Sequence, residues 1–115
     1  MATTNPPVKD LMQVLLDQHG ALLAKLDQVT DSKLGDAIVA KAQEILNRIN
    51  LTQNLLLVAA TQELTDAVAA VKGADTQLTK DLQGIADTAK FIDSVTGFLG
   101  YVDKAIDIAK KVAAI

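Results

Sequence analysis

The chain has 115 residues, of which half are hydrophobic and only 3% are aromatic, and its formal net charge is −3. A chain of this length fits one domain with one core. It contains no cysteine, which excludes disulfides, thiolate metal sites and thiol catalysis. Its 11 basic residues face 14 acidic ones, so it lacks the concentrated positive charge that phosphate binding needs, and we expect no nucleic-acid partner.

The N-terminal part predicts an extended segment over residues 1–7, which contains Pro6 and Pro7, and a first helix over residues 8–30. Apolar residues in this helix recur at alternating spacings of four and three, which is typical of a helix packed along another helix, as in a coiled coil. The residues of this seam are Val8, Met12, Leu15, Leu22, Leu26 and Val29. Further leucines widen the seam, which predicts more than one neighbouring helix: Leu11, Leu16 and Leu23.

His19, the only histidine, lies on the same seam. No acidic residue stands at metal-ligand spacing from it, so we interpret it as a packing residue, with a pH-sensitive contact as the alternative. The N-terminus has neither a basic segment nor an apolar run, so it shows no secretory signal. We therefore expect a cytoplasmic location, or export by a route that leaves no N-terminal mark.

The middle of the chain predicts either one long helix over residues 34–95 or two helices broken near Gly73. Small polar residues and Gly35 interrupt the apolar seam over residues 30–36, which predicts a turn with Asp36 as the N-cap of the next helix. The apolar seam keeps its phase through Gly73, which favours the continuous helix. Residues 36–95 would then form a rod of about 90 Å.

The segment 49–62 carries no ionisable side chain and is apolar around most of its circumference. Such a helix is buried among several neighbours or in lipid, but this one is shorter than the about 20 residues of a membrane span. Leu55, Leu56, Leu57 and Val58 are therefore candidate interaction residues. A polar stripe runs beside them and predicts either amides that set the register of a bundle or the lining of a pore or cavity: Asn47, Asn50, Asn54, Thr61 and Thr65.

The three aromatic residues lie close together, since Phe91, Phe98 and Tyr101 share one face of a helix. They predict core filling, a docking contact with another protein or an anchor in a membrane interface, and all three are candidate interaction residues. The glycines within residues 94–100 predict a break or bend. An amphipathic helix with lysines on its polar face follows over residues 99–114.

These patterns predict an all-α fold: an elongated helical hairpin or bundle of three to four helices with one long central helix, in a single domain over 1–115. No spacing brings two carboxylates to one cleft, and no nucleophile motif or phosphate-binding loop occurs. We therefore predict a protein that is not an enzyme and that uses no cofactor or metal ion.

The predicted function is a helical self-assembly or protein-interaction module, such as an oligomer or filament subunit or the helical partner of a larger complex. Its partners would be copies of itself or another helical protein. One alternative is a membrane-active helical protein, such as a component of an α-helical pore-forming toxin. Another is a bundle that holds an apolar ligand in its core.

Overall fold

The computed structural model describes residues 6–84 and 87–113, and this part of the chain is 86% helical without a strand. The all-α prediction is therefore confirmed. The described residues form four helices: α1 Pro6–Leu26, α2 Ser32–Gln53, α3 Gln62–Gln83 and α4 Thr88–Ala113.

The four helices form an elongated bundle with extents of 49 × 20 × 19 Å. The packed pairs are α1 with α2, α3 with α4, α2 with α4, and α1 with α3. Around the bundle the order is therefore α1, α2, α4, α3, and the connection 54–61 crosses one end diagonally. Short connections make consecutive helices antiparallel, so that α1 runs parallel to α3 and α2 parallel to α4.

Small polar side chains cap the N-termini of three helices. They accept hydrogen bonds from backbone N–H groups that have no partner within the helix. The Asp31 carboxylate accepts from Lys33 N at 2.9 Å, and the Thr61 hydroxyl accepts from Leu64 N at 3.1 Å. Asp87 accepts from Ala89 N at 2.8 Å before α4. The prediction of Asp36 as the N-cap of α2 is wrong, because Asp31 caps that helix five residues earlier.

The core lies along the bundle axis and contains the apolar seams that the sequence predicts. Each fully buried valine, leucine, isoleucine or phenylalanine contributes about 1.5–3 kcal/mol through removal of its side chain from water. The largest fully buried apolar side chains come from all four helices: Val8, Leu11, Leu15, Leu22, Ile38, Ile45, Leu64, Val71, Leu78, Phe91, Val95 and Val102.

The predicted long central helix is wrong, since the chain reverses at 54–61 and again between α3 and α4. The longest dimension of the bundle is 49 Å, well short of the expected rod. The predicted break near Gly73 is also wrong, and the continuous alternative is confirmed at this position. α3 passes through Gly73 because apolar residues on both sides of it, such as Val71 and Leu78, are buried on one face.

The two ends of the chain also differ from prediction. Residues 1–5 lie outside the described part, but Pro6 and Pro7 belong to α1, where a first-turn proline lacks only a donor that the helix does not use. α4 begins at Thr88 and continues through residues 94–100, so the predicted break there and the start at residue 99 are wrong. Residue 114, the predicted end, lies outside the described part.

Candidate interaction surfaces

The predicted interaction residues of segment 55–58 lie in the connection between α2 and α3. Leu55 is buried, whereas Leu56 and Val58 are half-buried against the core. Leu57 points outward with 73% of its surface exposed, the largest exposure of any large apolar residue in the described part. The segment 49–62 is thus helix up to Gln53 and a tight connection beyond it, and its apolar residues close one end of the bundle.

The three aromatic residues have different environments on α4. Phe91 and Phe98 are buried in the core, whereas Tyr101 is 50% exposed at the edge of the seam between α3 and α4. For the two phenylalanines this is the core-filling alternative that the sequence left open. Phe98 and Tyr101 both line a surface groove, where Tyr101 is exposed and Phe98 stays buried beneath it.

The groove lies between α3 and α4 and has a volume of about 500 Å³ in its central part. Leu78 and Phe98, both buried, belong to its lining together with the exposed ring of Tyr101. The groove is open because the positions that would cover the seam carry small residues: Ala70, Gly73, Ala74, Ser94 and Gly97. A Cβ atom at Gly73 or Gly97 would meet no neighbour within 4 Å.

The central groove continues in both directions along the seam. Ala70 and Tyr101 also line a volume of about 300 Å³ toward the start of α3. Asp81, Asp93 and Ser94 also line one of about 640 Å³ toward its end. The charged residues along the whole groove are Glu63, Asp66, Asp81, Asp87, Asp93, Lys80, Lys90 and Lys104.

A strip of exposed apolar residues lies on the opposite side of the bundle, along the seam between α1 and α2. We call Leu16, Leu23, Val39 and Leu46 the α1–α2 strip. The first three are 46%, 44% and 53% exposed, and Leu46 is half-buried against the core. In each helix the two residues are seven apart and therefore share a side.

The register of the two helices brings the halves of the strip together. A Cβ atom at Gly35 would lie 3.6 Å from Leu26 Cδ1, which sets Leu23 across from Val39 in the antiparallel pair. The sequence predicts that Leu16 and Leu23 contact a further helix, but the described residues supply none for their outer surfaces. Sequence reasoning missed Val39, although its seven-residue spacing from Leu46 was a usable signal.

The polar contacts between helices fix their relative positions. Arg48 on α2 binds the carboxylate of Asp103 on α4 and also donates to Glu44 O at 3.1 Å. The hydrogen bond to Asp103 is the main cause that raises the pKa of Arg48, while burial of the guanidinium acts in the opposite direction. Lys72 and Asp10 form an exposed ion pair of 2.9 Å between α3 and α1.

Gln18 is a buried polar residue at the contact between α1 and α3, with only 2% of its surface exposed. Its Nε2 donates to Asp75 Oδ1 at 2.6 Å and to Thr79 Oγ1 at 3.0 Å, whereas its Oε1 is buried without a hydrogen-bond partner. The polar stripe predicted from the sequence lies elsewhere: its asparagines are exposed on and just after α2, and Thr61 caps α3.

The described residues contain no group of three or more side chains suited to hold a metal ion, and none of their helices is long and apolar enough to cross a membrane. Comparison with known proteins adds no relative: no family model, no curated protein and no solved structure matches the chain. Two surfaces of the described bundle are candidate interaction sites: the α3–α4 groove and the α1–α2 strip.

Proposed function

We propose that this protein is a non-enzymatic helical module that associates with a second copy of itself through the α1–α2 strip. The carrying observation is the half-exposed state of Leu16, Leu23 and Val39, three large apolar residues on one seam. Contiguous apolar surface of this kind favours an interaction site. The bundle is 49 Å long and 20 Å wide, so one face has room for the about 800 Å² that each partner buries in a standard interface.

The charges at the two ends of the strip support a two-fold arrangement. Lys9 is seven residues before Leu16 and continues the strip at one end, whereas Asp27 and Asp36 lie at the other end, and all three are exposed. A two-fold axis across the middle of the strip pairs opposite ends of the two copies. Lys9 of each copy then faces the acidic end of the other copy. This attraction favours the antiparallel dimer over a parallel dimer, in which like charges would face each other.

Sedimentation velocity of the full chain tests this proposal. We expect a species of twice the 12.1 kDa chain mass, and we expect Leu23→Glu to convert it to a monomer because a charge would enter an apolar contact. Leu51→Glu is the matched control. Leu51 is a leucine of α2 with a similar exposure of 41%, but it lies outside the strip. A wild-type chain that stays monomeric at high micromolar concentration contradicts the proposal.

The charge pairing has a separate test. Lys9→Glu is expected to weaken the dimer, and the additional change Asp27→Lys is expected to restore it by re-creating an opposite pair. If the double variant associates no better than Lys9→Glu alone, the two-fold orientation is wrong even where the strip itself is the interface.

A second candidate function, contact with a membrane surface, is favoured by Leu57. This residue is 73% exposed within the uncharged connection 54–61. Lys110 and Lys111 are exposed in the last turn of α4 at the same end of the bundle. An apolar residue beside lysines is suited to anionic lipid. Flotation with anionic vesicles tests it: Leu57→Asp should abolish vesicle binding, and wild-type protein that does not float excludes this function.

A further inference from the structure

The α3–α4 groove has the properties of a docking site for a helix. It follows the seam between two helices from Glu63 to Asp81, a distance of about 27 Å at 1.5 Å per residue. Small residues such as Gly73 and Gly97 leave space for another backbone to approach closely. The half-exposed ring of Tyr101 offers an aromatic contact to such a neighbour, above a floor that includes the buried Leu78 and Phe98.

The charged residues that line the α3–α4 groove indicate which kind of helix it would bind. Five carboxylates and three lysines line the whole groove, and its central part has two carboxylates, Asp81 and Asp93, with no lysine. Neither the five carboxylates nor the three lysines form an ion pair with a described residue, so the groove lining has a formal net charge of −2. We propose that the groove binds an amphipathic helix of a partner protein, with an apolar face bordered by lysine or arginine residues.

A second copy of this chain does not fit the groove as well. The α1–α2 strip is its large exposed apolar surface, and that strip ends in Asp27 and Asp36 with a single lysine, Lys9, at the other end. Carboxylates at the groove would face carboxylates of the copy, which disfavours the contact. The helix-binding proposal therefore concerns a different surface from self-association and holds or fails independently of it.

A fluorescent model peptide of about 18 residues tests the proposal, since that length spans the groove. Leucine and alanine form one face of this peptide and lysines border it; a second peptide has glutamate in place of every lysine. We expect the lysine peptide to bind the full chain at least about tenfold more tightly than the glutamate peptide in fluorescence anisotropy. Asp81→Asn combined with Asp93→Asn should reduce this difference.

Two glycine variants show whether the groove itself is the site. Gly97→Leu fills the groove and should weaken binding of the lysine peptide at least about tenfold. Gly100→Leu is the matched control on α4, because Gly100 is exposed and does not line the groove. Circular dichroism verifies that both variants fold.

The proposal is overturned if the lysine peptide fails to bind, if both peptides bind equally, or if Gly97→Leu binds as the wild type does. It is also overturned if Gly97→Leu lowers the native mass of the protein by itself, since the groove would then hold a second copy.

Discussion

Arg48 on α2 and Asp103 on α4 form a two-pronged ion pair, in which Nε lies 2.9 Å from Oδ1 and Nη2 lies 3.1 Å from Oδ2. This geometry matches the planar guanidinium to the planar carboxylate. It joins two helices that are not consecutive in the chain. The ion pair therefore adds a directional contact that favours one position of α2 along α4, beside the apolar packing of the two helices.

We expect Asp103→Ala to lower the free energy of unfolding by about 1 kcal/mol, since one side chain of the pair is 49% exposed and water screens the interaction. Urea unfolding at low and high salt measures this, and the loss should shrink at high salt. Asp107→Ala, at an exposed position on the same helix, is the control and should have little effect. Equal effects of the two variants would show that the ion pair contributes nothing.

The same ion pair should give no pH dependence near neutrality through Arg48. Its pKa in the folded state is raised by Asp103, so its stabilising contribution is complete below the unfolded-state pKa. That contribution is lost only as pH rises through the folded-state pKa, in the strongly alkaline range. The difference in unfolding free energy between wild type and Arg48→Met should therefore stay constant from about pH 6 to about pH 9. A decline over this range contradicts the assignment.

Gln18 and Asp75 should respond unequally to substitution. Asp75→Ala leaves the buried Gln18 amide with Thr79 as its remaining side-chain acceptor, and we expect a loss of about 1–3 kcal/mol. Gln18→Met keeps the volume and removes the unpartnered Oε1, while the half-buried Asp75 can still bind water. We expect this change to stay within about 1 kcal/mol of wild type.

Asp66→Ala is the control for Asp75→Ala. It also removes a carboxylate from α3 and adds the higher helix propensity of alanine, but at an exposed site. Urea unfolding of the three variants gives the comparison. If Gln18→Met is the most harmful of the three, the amide stabilises the bundle more than its unsatisfied oxygen costs.

Leu55 and Leu57, two residues apart in the same connection, should differ sharply in their tolerance of charge. Leu55→Asp places a carboxylate at a site that is 8% exposed and should cost about 3 kcal/mol. Leu57→Asp, at a 73% exposed site, should change stability by no more than about 0.5 kcal/mol. Thermal unfolding distinguishes them, and equal losses would place Leu57 in a contact that the bundle alone does not supply.

Gly73 provides a test of the continuity of α3. Gly73→Ala should raise stability by about 0.5–1 kcal/mol, because the added Cβ meets open space and alanine favours the helix. Gly73→Pro should lower stability by about 3 kcal/mol or more. Ala69→Gly, one turn earlier at an exposed site, should lower stability by a similar amount. A chain that tolerates proline at residue 73 without loss would have a turn there.

The sequence by itself determined that the chain is helical and which stripes of apolar residues enter the core. Val8, Leu15 and Leu22 on α1, and Ile38 and Ile45 on α2, occupy buried positions as their spacing predicts. These features are local, because the 3.6-residue period of a helix places such residues on one side whatever lies opposite.

Only the tertiary structure decided where the chain reverses and which apolar residues remain outside. The reversal at 54–61 contains no glycine or proline, while Gly73, Gly97 and Gly100 lie within helices. A glycine costs a helix about 1 kcal/mol, and burial of one neighbouring apolar side chain exceeds that amount, so packing overrides the turn signal. Likewise, Phe98 is buried and Leu23 half-exposed because exposure depends on which helices become neighbours, and helical periodicity carries no information about that choice.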